Sequence, residues 1–175
     1  MNIQKFTQKS IEAINDCQKI ANDHGNQVVE CEHFLYSLLT QDDSLIAKLF
    51  VKMGIDENAF TSELLKEIEK LPKVLGGELR IGSHLNNVLL SAEDEAKAMG
   101  DEYVSVEHLF LSMLKKGGKE IKELFRTFGV NKETFLKALS SVRGNQRITS
   151  DNPEATYEAL EKYGTDLVEK AREQK

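Results

Sequence analysis

The sequence contains one pattern twice, at a constant offset of 75 positions. The octapeptide at 32–39 begins Glu-His and returns at 107–114 with the same first two residues. The offset holds on both sides without an insertion; identical pairs are Ala21/Ala96, Gly25/Gly100, Val29/Val104, Ile46/Ile121, Leu49/Leu124, Phe50/Phe125, Gly54/Gly129, Phe60/Phe135 and Leu64/Leu139. Solenoid units usually measure roughly 20–50 residues, so this longer period indicates a duplicated half-domain.

Apolar residues recur in each copy at three- and four-residue spacing, which predicts amphipathic helices. In the first helix Ile14 and Ala21 share one face, and Gly25 supplies the stop because the position after a helix often needs a positive φ. Asp42 or Asp43 is expected to cap the third helix. Four such segments occur in each copy, and no stretch has the alternation expected of a strand.

We therefore predict an all-α domain of two four-helix repeats related by pseudo-two-fold symmetry. The domain is placed at residues 1–144, with the first repeat at about 6–71 and the second at about 81–144. The polar stretch that follows is interpreted as a linker, and Pro153 lies in the first turn of a further helix. Residues 145–175 are thus expected to form a linker and the first helix of an ATPase domain that continues beyond the chain.

Composition limits the function classes. The formal net charge is −6 at pH 7, and no cluster of Lys and Arg is evident, so nucleic-acid binding is not expected. No apolar run is long enough to cross a bilayer, and no membrane partner is predicted. Cys17 and Cys31 lie in no paired motif, which favours reduced thiols and a cytoplasmic location.

Three motifs could suggest a metal, nucleotide or catalytic thiol site, but each lacks residues that such a site needs. His33 and His108 each lack the second His one helical turn away that a zinc site needs, so a structural role at a helix start is favoured. The segment 117–120, Gly-Gly-Lys-Glu, lacks the first Gly and the final Ser or Thr of a phosphate-binding loop. A position in the first turn of a helix would lower the thiol pKa of Cys31 modestly, but no partner is evident from spacing. We predict no catalytic, cofactor-binding or metal-binding residues.

Three stretches resemble the amino-terminal region of the ClpB-type protein disaggregases: the opening Phe6-Thr7, the duplicated repeats, and the tail at 141–154 with 157–167. The resemblance covers the whole chain, and the tail separates ClpB-type from ClpA- and ClpC-type proteins. It implies a hexameric, cytosolic AAA+ chaperone that works with the DnaK system and threads aggregated polypeptides. ATP and Mg²⁺ would be used by ATPase domains outside this chain, which itself would engage unfolded or aggregated polypeptide as a monomer.

The same resemblance implies which residues contact substrate. Thr7, Asp101 and Glu107 match family positions that affect substrate handling, and Leu89 lies on the helix expected to border a hydrophobic groove between the repeats. Structural roles compete with substrate contact, since Thr7 and Glu107 also stand at helix starts and Asp101 follows a helix stop. The expected groove helix also carries Glu95, so we predict weak, transient binding.

Two other function classes remain open at this point. One is an adaptor- or substrate-docking domain of a ClpA- or ClpC-type unfoldase that feeds a protease. The other is a stand-alone enzyme whose site has no recognisable motif.

Overall fold

The computed structural model describes residues 3–144 and 146–153. They form eight α-helices, four in each repeat; the bounds are α1 Gln8–Asp23, α2 Cys31–Thr40, α3 Leu45–Lys52, α4 Glu57–Glu69, α5 Ser83–Ala98, α6 Val106–Lys116, α7 Lys119–Thr127 and α8 Lys132–Arg143. The predicted all-α class with two four-helix repeats is confirmed. None of the described helices combines the length and apolarity needed to span a membrane.

Local sequence explains where the helices begin and end. The Thr7 side chain accepts a hydrogen bond from the Ser10 N–H and caps α1. The helix stops predicted at Gly25 and Gly100 are present, and both glycines adopt φ close to +72°. The predicted cap of α3 is wrong by a residue or two, because Ser44 accepts the Ala47 N–H at 3.1 Å.

Two short strands, β1 (Val28–Val29) and β2 (Arg80–Ile81), pair in parallel, contrary to the prediction of no strand. A matching bridge joins Phe6 to Val104. In each case the segment before one repeat's first helix pairs with the connector between the first two helices of the other repeat. Extended pairs this short satisfy backbone groups at the junction of the repeats without needing an alternating pattern.

Backbone hydrogen bonds show that this pairing between segments of the two repeats follows the 75-residue offset. The Thr7 N–H donates to the Val104 carbonyl at 3.0 Å, and the Gly82 N–H donates to the Val29 carbonyl at 2.9 Å. Adding 75 to the donor and subtracting it from the acceptor converts one bond into the other. The two halves are therefore related by pseudo-two-fold symmetry and are joined to each other through exchanged segments.

Phenylalanine rings hold the two repeats in one core. Phe50 of α3 contacts Phe110 of α6 edge-to-face, with centroids 5.7 Å apart. Phe60 of α4 stacks on Phe125 of α7 at 6.1 Å, and Phe110 contacts Phe135 of α8 at 4.5 Å. All five rings are buried, so the repeats cannot separate without exposing several aromatic side chains.

The stretch interpreted as a linker contains one core residue. Ile148 is buried, and its carbonyl accepts the Glu102 N–H at 2.9 Å. Farther on, the Asp151 carbonyl accepts the Gln8 N–H at 2.8 Å. Residues 146–151 thus pack against both repeats, although their composition is polar. The helix predicted after Pro153 lies outside the described residues.

Candidate functional site

Each repeat has a buried histidine at the start of its second helix. The Glu30 N–H donates to His33 Nδ1 at 2.9 Å, and the Ser105 N–H donates to His108 Nδ1 at the same distance. An Nδ1 that accepts a hydrogen bond leaves the proton on Nε2, so both rings are assigned as the neutral Nε2–H tautomer. The two histidines are capping residues, as the sequence indicated.

The first-repeat histidine faces an amide. His33 Nε2 donates to Asn26 Oδ1 at 2.8 Å, and Asn26 Nδ2 donates to the Pro72 carbonyl at 3.0 Å. Burial, together with the neighbouring His24, lowers the pKa of His33 to about 4. The ring therefore stays neutral at physiological pH and ties the start of α2 to the segment that follows α4.

The second-repeat histidine faces a carboxylate. His108 Nε2 donates to Asp101 Oδ2 at 2.7 Å, while Arg143 Nη2 and the Ile148 N–H donate to Oδ1. Burial alone would raise the pKa of Asp101, but hydrogen bonds from His108, Arg143 and the Ile148 N–H outweigh it and hold that pKa below its ordinary value. Asp101 thus joins α6, α8 and the segment after α8.

Glu107 completes this network. Its Oε1 accepts from the Ser105 hydroxyl, and its Oε2 lies 3.6 Å from Arg143 Nη1, which is an ion-pair distance rather than a hydrogen bond. Glu107 and Arg143 are both buried. One buried guanidinium therefore lies within ion-pair distance of two buried carboxylates, those of Asp101 and Glu107, and compensates part of their charge.

All four residues predicted to contact substrate are buried. Thr7, Asp101 and Glu107 lie around one corner, because the Val104 carbonyl that accepts the Thr7 N–H belongs to the connector between Asp101 and α6. Leu89 lies apart, in the core beneath α5, whereas its neighbour Leu90 is exposed. In this structure the four side chains act through packing and hydrogen bonds, and substrate contact by any of them stays a prediction.

Sequence reasoning missed two members of this corner. Arg143 lies in the last turn of α8, where a cation is common because it interacts favourably with the helix dipole, so its charge gave no sign of burial. Ile148 was the one large aliphatic residue in a polar stretch, and that was the available signal. The 75-residue offset offered a second signal for Arg143, because its counterpart Ile68 is buried at the end of α4, whereas Lys73, the counterpart of Ile148, is exposed.

Glu32, the first-repeat counterpart of Glu107, has a different environment. It is buried, and burial together with the neighbouring Glu30, Glu120 and Glu67 raises its pKa to about 7, while the nearby Lys70 pairs with Glu67. These carboxylates surround a cavity of about 330 Å³ between the start of α2, the end of α4 and the start of α7. The two copies have therefore kept a buried glutamate while changing what compensates it.

The described residues provide neither a metal site nor an activated thiol. Within residues 3–144 and 146–153, no group of three or more His, Cys, Asp and Glu side chains is arranged to hold a metal ion. The expected lowering of the Cys31 pKa is wrong, since burial raises it and Glu32 and Glu30 raise it further. Burial likewise raises the pKa of Cys17 to about 12. Both thiols are buried and unreactive at neutral pH.

Exposed apolar side chains concentrate where the two repeats are joined. Of seven large hydrophobic residues that are exposed in the described part of the chain, four are Val74, Leu75, Leu79 and Ile81. Beside them a groove of about 510 Å³ runs between the connector at 26–30 and the inter-repeat segment. Its lining is mixed; the apolar members are Val28, Leu71, Pro72 and Val74, and the polar ones include Asn26, Gln27, Glu30 and Arg80.

Comparison with known proteins agrees with the duplicated helical fold described above. The Clp repeat (R) N-terminal domain family matches residues 5–128. The chaperone protein ClpB of Nitratidesulfovibrio vulgaris is 44% identical over 181 residues and that of Bacillus anthracis 43% over 173 residues. These alignments cover 100% and 96% of this chain but only 21% and 20% of the relatives, so the chain spans about a fifth of their length.

A solved structure has the same fold. The crystal structure of the Hsp104 N-terminal domain from Candida albicans superposes with a TM-score of 0.76 at 24% identity, covering 86% of this chain and 99% of that one. The Clp repeat domain is a non-catalytic module, as predicted for this chain. Duplication, exchanged segments, family match and ClpB relatives agree, and the chain belongs to the Clp repeat amino-terminal domain family, with a sequence of the ClpB chaperone type.

Proposed function

We propose that this chain is the substrate-engaging amino-terminal module of an ATP-dependent ClpB-type disaggregase. Support comes from the family match and from relatives named as ClpB chaperones over the whole chain. The full protein would be a cytoplasmic hexamer that uses ATP and Mg²⁺ in its ATPase domains and solubilises stress-aggregated proteins with the DnaK system. Because the relatives named above are ClpB proteins, a ClpA- or ClpC-type docking domain is the less favoured assignment.

One observation carries the binding role: the exposed apolar side chains at 74–81 beside the inter-repeat groove. Exposed apolar patches on a folded domain commonly mark a site for another polypeptide. Leu75 is fully exposed and Val74 about half exposed, so both offer contact area without unfolding the domain. The polar groove lining keeps each contact weak, and several modules tethered in one hexamer would raise the effective concentration.

A two-dimensional NMR titration of the chain with a permanently unfolded protein tests this proposal. Shifts are expected at residues 74–81 and along the groove, and Val74→Ser/Leu75→Ser/Leu79→Ser should weaken them. The control is Val51→Ser, which removes an exposed apolar side chain from α3, outside the groove. No localised shift at high substrate concentration, or equal loss in the control, would refute the proposal.

Thr7, Asp101, Glu107 and Leu89 enter the proposal indirectly. Because all four are buried, they would affect substrate binding by holding the connectors in place. Thr7→Ser keeps the capping hydroxyl and Thr7→Ala removes it. A loss of binding that Thr7→Ala shows and Thr7→Ser does not would support action through the cap, provided both variants are fully folded at the temperature of the assay.

A further inference from the structure

A second groove lies entirely within the second repeat. It has a volume of about 1010 Å³ and runs between the end of α6, the start of α7 and the start of α8. Its lining carries six cationic side chains, those of Lys115, Lys116, Lys119, Lys122, Arg126 and Lys132. Glu123 is the one carboxylate among the lining residues, so the groove is strongly positive in a chain whose formal net charge is −6.

Most of this charge is available to a ligand. Lys115 pairs with Glu95 at 2.5 Å, and Arg126 pairs with Glu123. The other four lysines form no ion pair with any described residue, and all four are exposed. Exposed like charges held on one short surface repel each other, and an anion that binds there relieves this repulsion.

The first repeat does not share this charge. At the offset of 75, the six cationic positions correspond to Thr40, Gln41, Ser44, Ala47, Val51 and Glu57. The corresponding surface is also bridged, because Gln41 Nε2 donates to the Lys9 carbonyl at 2.9 Å and Lys9 Nζ donates to the Asp42 carbonyl at 2.7 Å. The positive groove is therefore a property of one copy and not a consequence of the repeat fold.

The start of α7 adds to the positive potential. Its counterpart α3 is capped by the Ser44 hydroxyl, but Lys119 replaces that serine, and Gly118 precedes α7 without a side-chain cap. The first N–H groups of α7 are thus left for solvent or a ligand, at the positive end of the helix dipole. Lys119 therefore adds a positive charge to the first turn of α7 at the position where the first repeat has its capping serine, and Gly118 is a tolerated N-cap.

The groove also has an apolar component. Leu114 is half-buried in its wall, and Leu111, Phe125 and Val130 lie behind it. A ligand that places an aliphatic side chain between its anionic groups would satisfy both kinds of surface. A nucleic acid fits less well, because the described lining offers no exposed aromatic ring for a base and the chain as a whole is acidic.

We propose that this groove binds an acidic segment of a second polypeptide, with carboxylates on the lysines and an aliphatic residue against Leu114. The site is independent of the proposed function, because none of residues 74–81 lines it. It gives the module a second contact, selective for negative charge, at the opposite end of α6 from Glu107.

Fluorescence anisotropy with the whole chain tests the proposal. The probe is a labelled peptide in which Glu alternates with Leu. The control peptide has Gln in place of every Glu. Lys119→Glu/Lys122→Glu should weaken binding of the acidic peptide about tenfold or more, since reversing two facing charges costs at least the equivalent of one decade. Binding should also weaken with added salt.

The matched control is Lys19→Glu/Lys137→Glu, which changes the net charge equally at exposed helix positions outside the groove. It should alter affinity by no more than about twofold. Equal weakening in both double variants, equal binding of the Gln peptide, or no saturable binding would overturn the proposal. So would tighter binding of a single-stranded oligonucleotide than of the acidic peptide. The 74–81 variants report separately on the proposed function and should bind the acidic peptide normally.

Discussion

Replacing Glu32 by Gln should stabilise the domain at high pH and not at low pH. The Glu32 carboxylate is buried among Glu30, Glu67 and Glu120; Lys70 lines the same cavity but pairs with Glu67 at 3.0 Å. The pKa of Glu32 is raised from an ordinary value of 4.5 to about 7 in the folded state. The folded protein therefore binds a proton that the unfolded chain releases across this interval, and folding becomes less favourable as the pH rises.

The size of the effect follows from the two pKa values. Below about pH 4.5 the carboxyl is protonated in both states, and the full stability is present. Between about pH 4.5 and pH 7 the folded domain loses about 1.4 kcal/mol of stability for each unit of pKa difference, which amounts to about 3 kcal/mol. The loss is complete once the pH has risen through the folded-state pKa. The neutral amide of Gln does not titrate. The difference in free energy of unfolding between variant and native chain should therefore grow by up to about 3 kcal/mol between about pH 5 and pH 8.

Urea unfolding followed by far-UV circular dichroism measures this difference, and urea is preferred because it adds no ionic strength. Other titrating groups, His33 among them, cancel when the variant is compared with the native chain at the same pH. Glu107→Gln is the control, because its carboxylate lies beside Arg143 and its neutralisation removes an attractive charge pair, so this variant should not stabilise the domain at pH 8. A Glu32→Gln difference that stays constant across the pH range would refute the reasoning.

Three further predictions concern the polar networks. Asn26→Asp and Asp101→Asn should each destabilise the domain by about 3 kcal/mol in urea unfolding. The first places a carboxylate against the Pro72 carbonyl, and the second removes the carboxylate that accepts from His108, Arg143 and the Ile148 N–H. A change under about 1 kcal/mol in either would contradict the assigned partners. Thr7→Ala should cost about 1 kcal/mol and Thr7→Ser much less, and equal losses would exclude the cap. The Cε1–H resonance of His33 should titrate near pH 4, and a midpoint near 6.5 would show that the ring is not buried.

Much of the helical architecture could be predicted because its determinants are local. The constant offset, the apolar spacing and the glycine stops at Gly25 and Gly100 define each helix within a few residues. The strands β1 and β2 could not be predicted, since two residues cannot show an alternating pattern. Their pairing also depends on a contact between segments that lie about fifty positions apart along the chain, which no local pattern records.

The candidate site was harder to predict because burial and partner choice are tertiary properties. Leu89 and Leu90 are equivalent in composition, yet only Leu90 reaches the surface of α5. Asp101 and Arg143 are both ordinary helix-end residues until α8 packs against the second connector. Four of the cations of the basic groove, Lys115, Lys116, Lys119 and Lys122, lie within eight positions of the sequence, but only the fold brings Arg126 and Lys132 beside them.

Differences between the copies follow from the hydrogen-bonding roles of their partners. At position 26 the partners are one donor, the His33 ring, and one acceptor, the Pro72 carbonyl, which together require an amide. At position 101 the ring, the Arg143 guanidinium and the Ile148 N–H are all donors, which require a carboxylate. Both solutions keep a neutral histidine at the helix start, so the divergence is explained by folding alone. Of the lysines in the α6–α7–α8 groove, Lys115 alone pairs with a described carboxylate, and Lys119 occupies the position that corresponds to the capping Ser44. That asymmetry, rather than the Asn26/Asp101 one, therefore indicates a ligand.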